Sequence, residues 1–404
     1  QVTKLTREAL KEMQMGTKEK DRSKNMFVLG LLYWLYGREI EPTIDFITNK
    51  FGKESTTAQA NILALKAGYN YGETAEIYES PVKVKPAQLR SGTYRGITGN
   101  IATAYGLISA SVKSGLQLFY GSYPITPASD ILHELSKHKN FGLITFQAED
   151  EIAAIGAVIG ASYGGKLAIT GTSGPGLSLK SEALGLALSL ELPLVLVNVQ
   201  RAGPSTGMPT KMEQADLMQA FYGRHGESPL PIVAATHPAD CFNMAFEACK
   251  IALEHMTPVI FLSDGFLANG AEPWKFPNEA ELPSINIKIA EEKDLDEKGE
   301  FMPYKRDGDL VRRWALPGMK GFENSIGGLQ KENLTGNVSY DPENHQLMSD
   351  IRAEKVEKIK DFIPVQELDS GSKEDDMLLV GWGSTYGVLK TASQELRNEG
   401  LKVA

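Results

Sequence analysis

A regular alternation of short apolar runs with helical stretches, between about residues 96 and 275, constrains the fold more than any other feature. Strands of a parallel sheet that is buried on both faces are apolar along their whole length, and crossover helices join them. The alternation therefore predicts an α/β domain whose parallel sheet carries helices on both faces. The predicted strands are LQLFYG, LITF, LAIT, LVLVNVQ, PIVAA and PVIFLSD.

The rest of the chain divides into regions of different pattern. Residues 1–78 contain two or three helical patterns, and residues 79–95, with two prolines and alternating charge, are typical of a linker. Residues 276–370 are polar and irregular and predict a connecting segment, whereas residues 371–404 show a strand, a glycine turn, a helix and the start of another strand. We therefore expect a second α/β domain to begin there, and both ends of the chain to be cut.

Composition and charge exclude several classes of function. The net charge of −9 argues against a nucleic-acid surface, because phosphate contacts need clustered Lys and Arg. No run of about 18 apolar residues predicts a membrane span, and the charged, amphipathic first residues lack the apolar segment of a secretory signal. We therefore expect a cytoplasmic protein that binds neither nucleic acid nor membrane.

Cysteine and histidine are too few and too scattered in the sequence to predict a metal centre. Cys241 and Cys249 form no C-x-x-C pair, so this chain cannot ligate an iron–sulfur cluster alone, and we expect both thiols to be buried. None of the six histidines stands at a metal-ligand spacing from Cys, Asp or Glu. No Ser/His/Asp order with an elbow motif indicates a hydrolase.

Unusual segments follow four of the predicted strands. They are YPITP (123–127), QAEDE (147–151), GTSGPG (171–176) and QRAGPSTG (200–207). Ligands of open parallel sheets bind at the carboxyl ends of the strands, and these ends share one edge of the sheet. We therefore expect the four segments to surround one site.

The segment GTSGPG is not a known nucleotide-binding loop. It lacks the Lys-Ser/Thr of a Walker motif and does not match G-x-G-x-x-G, which removes the main support for a nucleotide hydrolase or a nicotinamide dehydrogenase. Its glycines allow the backbone to approach a flat ligand closely. The alternative is a plain strand-to-helix turn.

Two charged residues at these strand ends are candidates for chemistry. Glu151 belongs to the acidic trio Glu149, Asp150 and Glu151, which opens a helix of small residues. The helix macrodipole stabilises negative charge there, but a half-buried carboxyl can also share a proton with a ring nitrogen. Arg201 ends an apolar strand, so its guanidinium requires either a nearby Asp or Glu or the carboxylate of a ligand.

Four motifs, in this order, resemble the pyrimidine-binding domain of 2-oxoacid:ferredoxin oxidoreductases: YPITPASD, QAEDEIAAIGAVIGAS, TGTSGPGLSLKSEALG and VNVQRAGPSTGMPTKMEQADL. Upstream, NMFVLGLLYWLYGR and NYGETAE are similar to the end of the γ-type domain that is fused ahead of the α domain in this family. Downstream, GGLQKENLTGNVSYDPENHQLMSDIRAEKV looks closest to the 2-oxoglutarate branch. The resemblance implies a thiamine-diphosphate-binding fold, followed after residue 370 by the start of a transketolase-C-terminal-like domain.

The resemblance assigns roles to individual residues. Glu151 matches the family glutamate that hydrogen-bonds N1′ of the aminopyrimidine ring and promotes proton transfer at the cofactor. Thr126 matches the threonine near the substrate carboxylate or carbonyl, and Arg201 matches the arginine that clamps this carboxylate. These three are the implied catalytic residues, and the last two are also the implied substrate-binding residues. Besides Glu151, the implied cofactor-binding residues are Tyr123, Pro124, Ile125, Thr172, Ser173 and Gly174.

The resemblance also implies partners. The Gly-Asp-Gly segment with a later Asn, which holds the diphosphate through Mg²⁺, is missing here, and in the family it lies on the β-subunit together with an iron–sulfur cluster. The expected enzyme is a heterotetramer of α and β subunits that shares thiamine diphosphate between them. It would decarboxylate 2-oxoglutarate oxidatively, passing the acyl group to coenzyme A and the electrons to ferredoxin, or run the reverse reaction.

Two alternatives stay open in the sequence. The substrate can be pyruvate or a branched-chain 2-oxoacid, because the cation that would recognise a second carboxylate cannot be located from one sequence. The chain can also be a non-catalytic scaffold subunit that retains the fold. Glu151 and Arg201 argue against a scaffold, which needs neither residue at a strand end.

Overall fold

The computed structural model describes residues 1–75, 82–324 and 326–404. The last residues of the predicted helical region (76–78), the first residues of the predicted linker (79–81) and Ser325 of the predicted connecting segment lie outside the described residues. The described residues belong to two compact units, Gln1–Ser91 and Gly92–Ala404. The finer domain boundaries stay a prediction.

The first unit is helical in the residues that the structure describes. Five helices are present where the sequence indicated two or three: α1 (Val2–Ala9), α2 (Thr17–Arg22), α3 (Lys24–Leu35), α4 (Glu41–Phe51) and α5 (Thr56–Thr74). The second, with six residues, is too short for a periodic pattern to reveal it. Glycine allows α3 and α5 to pack backbone against backbone, since a Cβ atom on Gly68 would lie 1.8 Å from the Phe27 carbonyl oxygen.

The second unit contains a six-stranded parallel sheet, which confirms the predicted α/β fold. Up to residue 275 its elements are, in chain order, β1 (Tyr94–Thr98), α6 (Gly99–Ser114), β2 (Leu118–Ser122), α7 (Ser129–Leu135), β3 (Ile144–Gln147), α8 (Glu151–Tyr163), β4 (Leu167–Thr172), α9 (Gly174–Leu179), α10 (Ser181–Ser189), β5 (Leu194–Gln200), α11 (Leu217–Tyr222), β6 (Ile232–Ala234), α12 (Asp240–His255), β7 (Pro258–Asp264), α13 (Gly265–Asn269) and β8 (Ala271–Lys275). The strand order in the parallel sheet is β3-β2-β4-β5-β7-β6.

The central strands are apolar because helices cover both faces of the sheet. Every residue of β4, β5 and β7 is buried. Successive side chains of β5 point to opposite faces: Val197 belongs to the same core as Phe242 of α12, whereas Leu196 belongs to the core that contains Ile155 of α8. The continuous apolar runs in the sequence therefore reflect burial on two sides.

A second, two-stranded sheet was not anticipated. β1 pairs antiparallel with β8, with Gly96 opposite Pro273, and β1 begins at Tyr94, inside the predicted linker. The two strands, YRGIT and AEPWK, are far apart in the sequence and carry several polar residues. Neither strand therefore shows a local pattern that distinguishes it from a loop.

The chain between β4 and β5 forms two helices, α9 and α10, which meet at Lys180. Because α9 begins at Gly174, the second half of GTSGPG is helical.

The predicted irregular segment, residues 276–370, contains a long helix that the sequence analysis did not identify, α14 (Pro342–Lys358), besides short 3₁₀ turns. An Asp341 side-chain oxygen accepts a hydrogen bond from the Asn344 amide (2.9 Å) and caps this helix. Beyond it lies α15 (Tyr386–Asn398), and Met377 pairs in parallel with Val403 across that helix.

Both cysteines, Cys241 and Cys249, are free and buried, as expected. They lie on α12, and burial raises the pKa of the Cys241 thiol to about 12. Both side chains belong to the apolar core between α12 and the sheet.

Helix length and polarity also bear on membrane insertion. Over the described ranges of the chain, no helix combines the length and the apolar character that a membrane crossing requires.

A buried cluster of charges fastens the segment after residue 275 to the sheet domain. Glu191 is 3% exposed, and its carboxylate accepts a hydrogen bond from Arg306 Nε (2.9 Å) and pairs with Lys355 of α14. Burial raises the pKa of Glu191, but Lys355 and Arg306 outweigh burial and hold the pKa at about 2. Arg312 donates to the adjacent Leu190 carbonyl oxygen (3.0 Å), which extends the cluster.

We expect Glu191→Gln to lower the free energy of unfolding by about 3–5 kcal/mol, because Lys355 and Arg306 would stay buried without their counter-ion. The folded-state pKa lies below the ordinary value of 4.5, so the carboxylate stabilises the fold fully above that pH. Its contribution is lost as the pH falls toward about 2. Urea unfolding at pH 7 and pH 3 measures this effect.

Glu182→Gln, which changes an exposed glutamate of α10, is the matched control. The Glu191 variant should be much less stable than the control at pH 7, and the difference should shrink at pH 3. A difference that is the same at both pH values would contradict the role of this charged cluster.

Candidate active site

The carboxyl ends of β2, β3, β4 and β5 lie along one edge of the parallel sheet, as expected. Ser122, the last residue of β2, pairs with Gln147 of β3, and Thr172, the last residue of β4, pairs with Asn198 of β5. The four segments that follow these strands therefore leave the sheet on the same side.

Tyr123, Thr172 and Gly176 pack tightly against one another at this edge. The hydroxyls of Tyr123 and Thr172 are hydrogen-bonded at 2.9 Å, and both residues are buried. A Cβ atom on Gly176 would lie 1.9 Å from Thr172 Oγ1, 2.3 Å from Tyr123 Oη and 3.0 Å from Glu151 Cγ. Only glycine fits here, so the segment after β2, the end of β4 and the starts of α8 and α9 meet at one point.

The acidic residues at the start of α8 have separate roles. Asp150 is the N-cap, because its Oδ1 accepts a hydrogen bond from the Ala153 amide (2.8 Å). Glu151 is half-buried, and its side chain is directed toward Tyr123 and Gly176. Burial raises the pKa of the Tyr123 phenol far above its usual value, the Thr172 hydrogen bond opposes this, and the Glu151 carboxylate adds to it.

Arg201 is 6% exposed and forms no ion pair with any carboxylate in the described part of the chain. Its Nη1 donates to the Thr126 carbonyl oxygen (2.7 Å), and its buried Nε has no hydrogen-bond partner among the described residues. The alternative of a structural ion pair therefore does not apply. The guanidinium keeps a free donor and a positive charge for a ligand.

A cleft of about 490 Å³ opens beside this guanidinium. One wall is the start of α9, including Gly174, and the opposite wall is the segment after β5, including Gly203. The cleft is mainly apolar, and Arg201 is the cation that lines it. Such a cleft suits a small anion or a flat ring.

The structure brings most of the sequence-derived candidates together. Tyr123, Glu151, Thr172, Ser173 and Gly174 lie together at the strand ends, and we call them the strand-end cluster. The Ser173 Oγ atom is buried with no hydrogen-bond partner among the described residues. The next three residues along the chain, Pro124, Ile125 and Thr126, form the outer rim of this cluster. Pro124 and Thr126 are exposed.

Two further residues of the site were not identified from the sequence. The carboxyl of Asp216 lines the cleft and accepts a hydrogen bond from Asn198 (2.9 Å); burial raises its pKa and this bond opposes the increase. Lys180 is fully buried and donates to the Glu151 carbonyl oxygen (2.8 Å). The sequence feature that could have indicated Lys180 is its place in GPGLSLKSEALG, a run of mostly small and apolar residues.

In the residues that the structure describes, no group of three or more His, Cys, Asp or Glu side chains is arranged to hold a metal ion.

Residues 110–332 match the protein family described as pyruvate flavodoxin/ferredoxin oxidoreductase, thiamine diphosphate-binding. This match covers the sheet and the strand-end cluster, so the fold and the sequence comparison define the same class of protein. The chain belongs to the family of 2-oxoacid:ferredoxin oxidoreductases that carry this thiamine diphosphate-binding domain.

The individual relatives are subunits of such enzymes. The chain is 53% identical, over 405 residues, to subunit KorA of the 2-oxoglutarate oxidoreductase of Mycobacterium tuberculosis, covering 100% of this chain and 61% of that protein. It is 37% identical, over 308 residues, to the 2-oxoglutarate synthase subunit KorA of Archaeoglobus fulgidus, covering 76% of this chain and 78% of that protein. The predicted resemblance is confirmed, and the chain spans about 61% of the length of the Mycobacterium relative.

A solved structure supports the same fold. The 2-oxoglutarate:ferredoxin oxidoreductase of Magnetococcus marinus, with 2-oxoglutarate, coenzyme A and succinyl-CoA bound, superposes with a TM-score of 0.86 at 36% identity. The similarity covers 98% of this chain and 67% of the Magnetococcus chain.

The strand-end cluster fits the aminopyrimidine end of thiamine diphosphate. Gly176 lets the start of α9 approach Tyr123, Thr172 and Glu151 closely, Gly174 lines the adjacent cleft, and the Ser173 hydroxyl between them is buried without a hydrogen-bond partner among the described residues. A half-buried carboxyl beside a mainly apolar cleft suits a planar ring with a basic nitrogen.

We expect Gly176→Ala to separate the Tyr123 and Thr172 hydroxyls, because the new methyl group has no space between them. The free energy of unfolding should fall by about 1–3 kcal/mol, the usual cost of overpacking. Urea unfolding measures this change.

Gly185→Ala on α10 is the control, since a Cβ atom there meets open space and should be neutral or stabilising by about 0.5–1 kcal/mol. Equal stability of the two variants would show that the contact around Gly176 is not tight.

Proposed function

We propose that this chain forms most of the α-subunit of a thiamine-diphosphate-dependent 2-oxoglutarate:ferredoxin oxidoreductase. The enzyme would convert 2-oxoglutarate and coenzyme A to an acyl-CoA and CO₂ while reducing ferredoxin, or catalyse the reverse reaction. The observation that carries the proposal is the buried Arg201 guanidinium, which has an unpartnered Nε and lines a cleft beside the cluster around Glu151.

Glu151 is proposed to hold the proton that the aminopyrimidine ring exchanges at N1′. Thiamine diphosphate, when bound, supplies the ring system that takes up the electrons released by decarboxylation. The half-buried Glu151 carboxyl would serve this exchange from the start of α8, where it lies against the start of α9. Tyr123 and Thr172 would help to hold the ring, and their mutual hydrogen bond fixes their side chains.

Arg201 and Thr126 are proposed to orient the 2-oxoacid. The Arg201 Nη1 bond to the Thr126 carbonyl oxygen holds the guanidinium at the cleft, where its remaining N–H groups would bind the substrate carboxylate. The exposed Thr126 side chain stands at the rim of the same site, where the carboxylate or the keto oxygen would lie.

A partner subunit is required by this proposal. We propose that a β-subunit holds Mg²⁺ and an iron–sulfur cluster, as the family resemblance implies; the two cysteines of this chain are free and buried in an apolar core. Ferredoxin is the proposed electron acceptor. The cytoplasmic location stays a prediction from the sequence.

The choice of 2-oxoglutarate rests on the relatives. The Mycobacterium and Archaeoglobus proteins are subunits of 2-oxoglutarate enzymes, and the Magnetococcus structure holds 2-oxoglutarate, coenzyme A and succinyl-CoA. No observation on this chain favours pyruvate or a branched-chain 2-oxoacid, and these acids serve as comparison substrates in the test.

The proposal predicts coenzyme A-dependent reduction of methyl viologen by 2-oxoglutarate under anaerobic conditions. The full-length protein, co-expressed with its β-type partner, should lose at least about a hundredfold in kcat when Glu151 is changed to Gln, because proton transfer at the cofactor is lost. Steady-state rates with 2-oxoglutarate, pyruvate and a branched-chain 2-oxoacid measure both claims.

Glu149→Gln is the matched control, since Glu149 is an exposed carboxylate two residues away. It should leave kcat unchanged. Full activity of the Glu151 variant would refute the role of that residue. A folded, cofactor-loaded complex that is inactive with every 2-oxoacid would favour the scaffold alternative.

We further expect Arg201→Met to raise KM for 2-oxoglutarate at least about thirtyfold, the factor that corresponds to about 2 kcal/mol for a charge-assisted hydrogen bond. Arg201→Lys should recover part of this loss, because it keeps the charge but not the planar fork. The dependence of the initial rate on 2-oxoglutarate concentration gives both values.

Lys211→Met removes an exposed cation from the same segment after β5 and is the control. If the Lys211 and Arg201 variants raised KM equally, general attraction of the acid would explain the effect, and the proposed clamp would be wrong.

A further inference from the structure

Lys180 is a buried lysine directly behind the candidate active site. It lies between α9 and α10 and is among the largest fully buried side chains, with 0% of its surface exposed. Its position in the sequence, between two helices, allows the side chain to run back under the start of α8. No role for it follows from the mechanism proposed above.

Three contacts fix the Lys180 ammonium. Its Nζ donates to the Glu151 carbonyl oxygen (2.8 Å) and to Thr170 Oγ1 of β4 (3.1 Å), and it lies 5.2 Å from the centre of the Tyr123 ring. The hydrogen bond to the carbonyl oxygen holds the main chain of Glu151. The contact with the Tyr123 ring is a cation–π interaction. The ammonium thus contacts both Glu151, at the start of α8, and Tyr123, after β2.

The ammonium has no direct counter-ion. Its contacts are with a carbonyl, a hydroxyl and a ring, and no carboxylate in the described ranges forms an ion pair with it. The charged or titratable groups that face it are Glu151 and Asp150 at the start of α8 and Tyr123 after β2. Burial lowers the pKa of Lys180 to about 8, and the charges of Glu151 and Asp150 oppose this decrease.

A buried cation without a paired carboxylate is unfavourable for folding. A buried charge costs free energy unless it is both hydrogen-bonded and paired. Lys180 is hydrogen-bonded but its partners are all uncharged, in contrast to Lys355, which pairs with Glu191.

We propose that Lys180 is a positioning residue for thiamine diphosphate: its buried ammonium holds the Glu151 main chain and the Tyr123 ring in place. This inference rests on the proposed function of the site. The charge of the ammonium strengthens both contacts in a site of low dielectric, so its loss would loosen the residues that border the ring and weaken binding of the ring.

The test compares thiamine diphosphate affinity in Lys180→Met, which removes charge and donor, and in Lys180→Gln, which keeps a donor but not the charge. The full-length protein with its partner subunit is freed of cofactor and titrated calorimetrically with thiamine diphosphate in the presence of Mg²⁺, at pH 7 and pH 9. Lys166→Met, a change just before the opposite end of β4, is the matched control.

Wild type and the Lys166 control should bind with equal affinity at pH 7 and should lose affinity at pH 9, where the Lys180 ammonium loses its proton. Both Lys180 variants should bind about tenfold more weakly at pH 7, as expected for a lost interaction with a charged group. Their affinity should change much less between the two pH values. Thermal unfolding of the Met variant should occur at the wild-type temperature or above it.

Wild-type affinity and an unchanged pH dependence in both variants would overturn the proposal. So would a large loss of thermal stability in both, because Lys180 would then serve the fold rather than the cofactor. If the wild-type complex itself binds no thiamine diphosphate, the proposed function fails first, and the inference about Lys180 fails with it.

Discussion

The parallel pairing of β2, β4 and β5 determines where the side chains of the candidate active site lie. These strands are buried in the middle of a six-stranded sheet, so a shift in their register would expose apolar residues and unpair backbone groups. With the register fixed, the segments after the strands emerge side by side. Tyr123, Thr172 and Arg201 come from three different strand ends, yet their surroundings form one continuous surface.

The buried cations of the second unit differ in whether a carboxylate pairs with them. Away from the site, Glu191 neutralises Arg306 and Lys355, and this cluster fastens α14 to the sheet domain. At the strand ends, Arg201 and Lys180 are also buried, but neither has a carboxylate partner in the described part of the chain. This difference in pairing distinguishes the charges that fasten the fold from the two cations at the candidate site, and it supports a functional role for that site.

The sheet was predictable from the sequence because two-sided burial makes each strand a continuous apolar run. The position of candidate residues at the strand ends was predictable where they follow such runs, as Glu151 and Arg201 do; their roles stay a proposal. Lys180 was missed because its contact partner, Glu151, is distant along the chain and becomes its neighbour only when α8 and α9 pack together. The β1–β8 pair was missed for the same reason: pairing between distant segments leaves no local periodicity. Identification of the family rested on the combined motifs.

A structure of the full-length protein with its partner subunit and thiamine diphosphate would test the central claim most directly. The quantity to measure is the distance from the nearer Glu151 carboxylate oxygen to N1′ of the aminopyrimidine ring. A distance of about 2.6–3.2 Å, the range of a hydrogen bond that transfers a proton, is the predicted result. A ring bound elsewhere, or bound beside α9 with the Glu151 carboxylate directed away from N1′, would contradict the account.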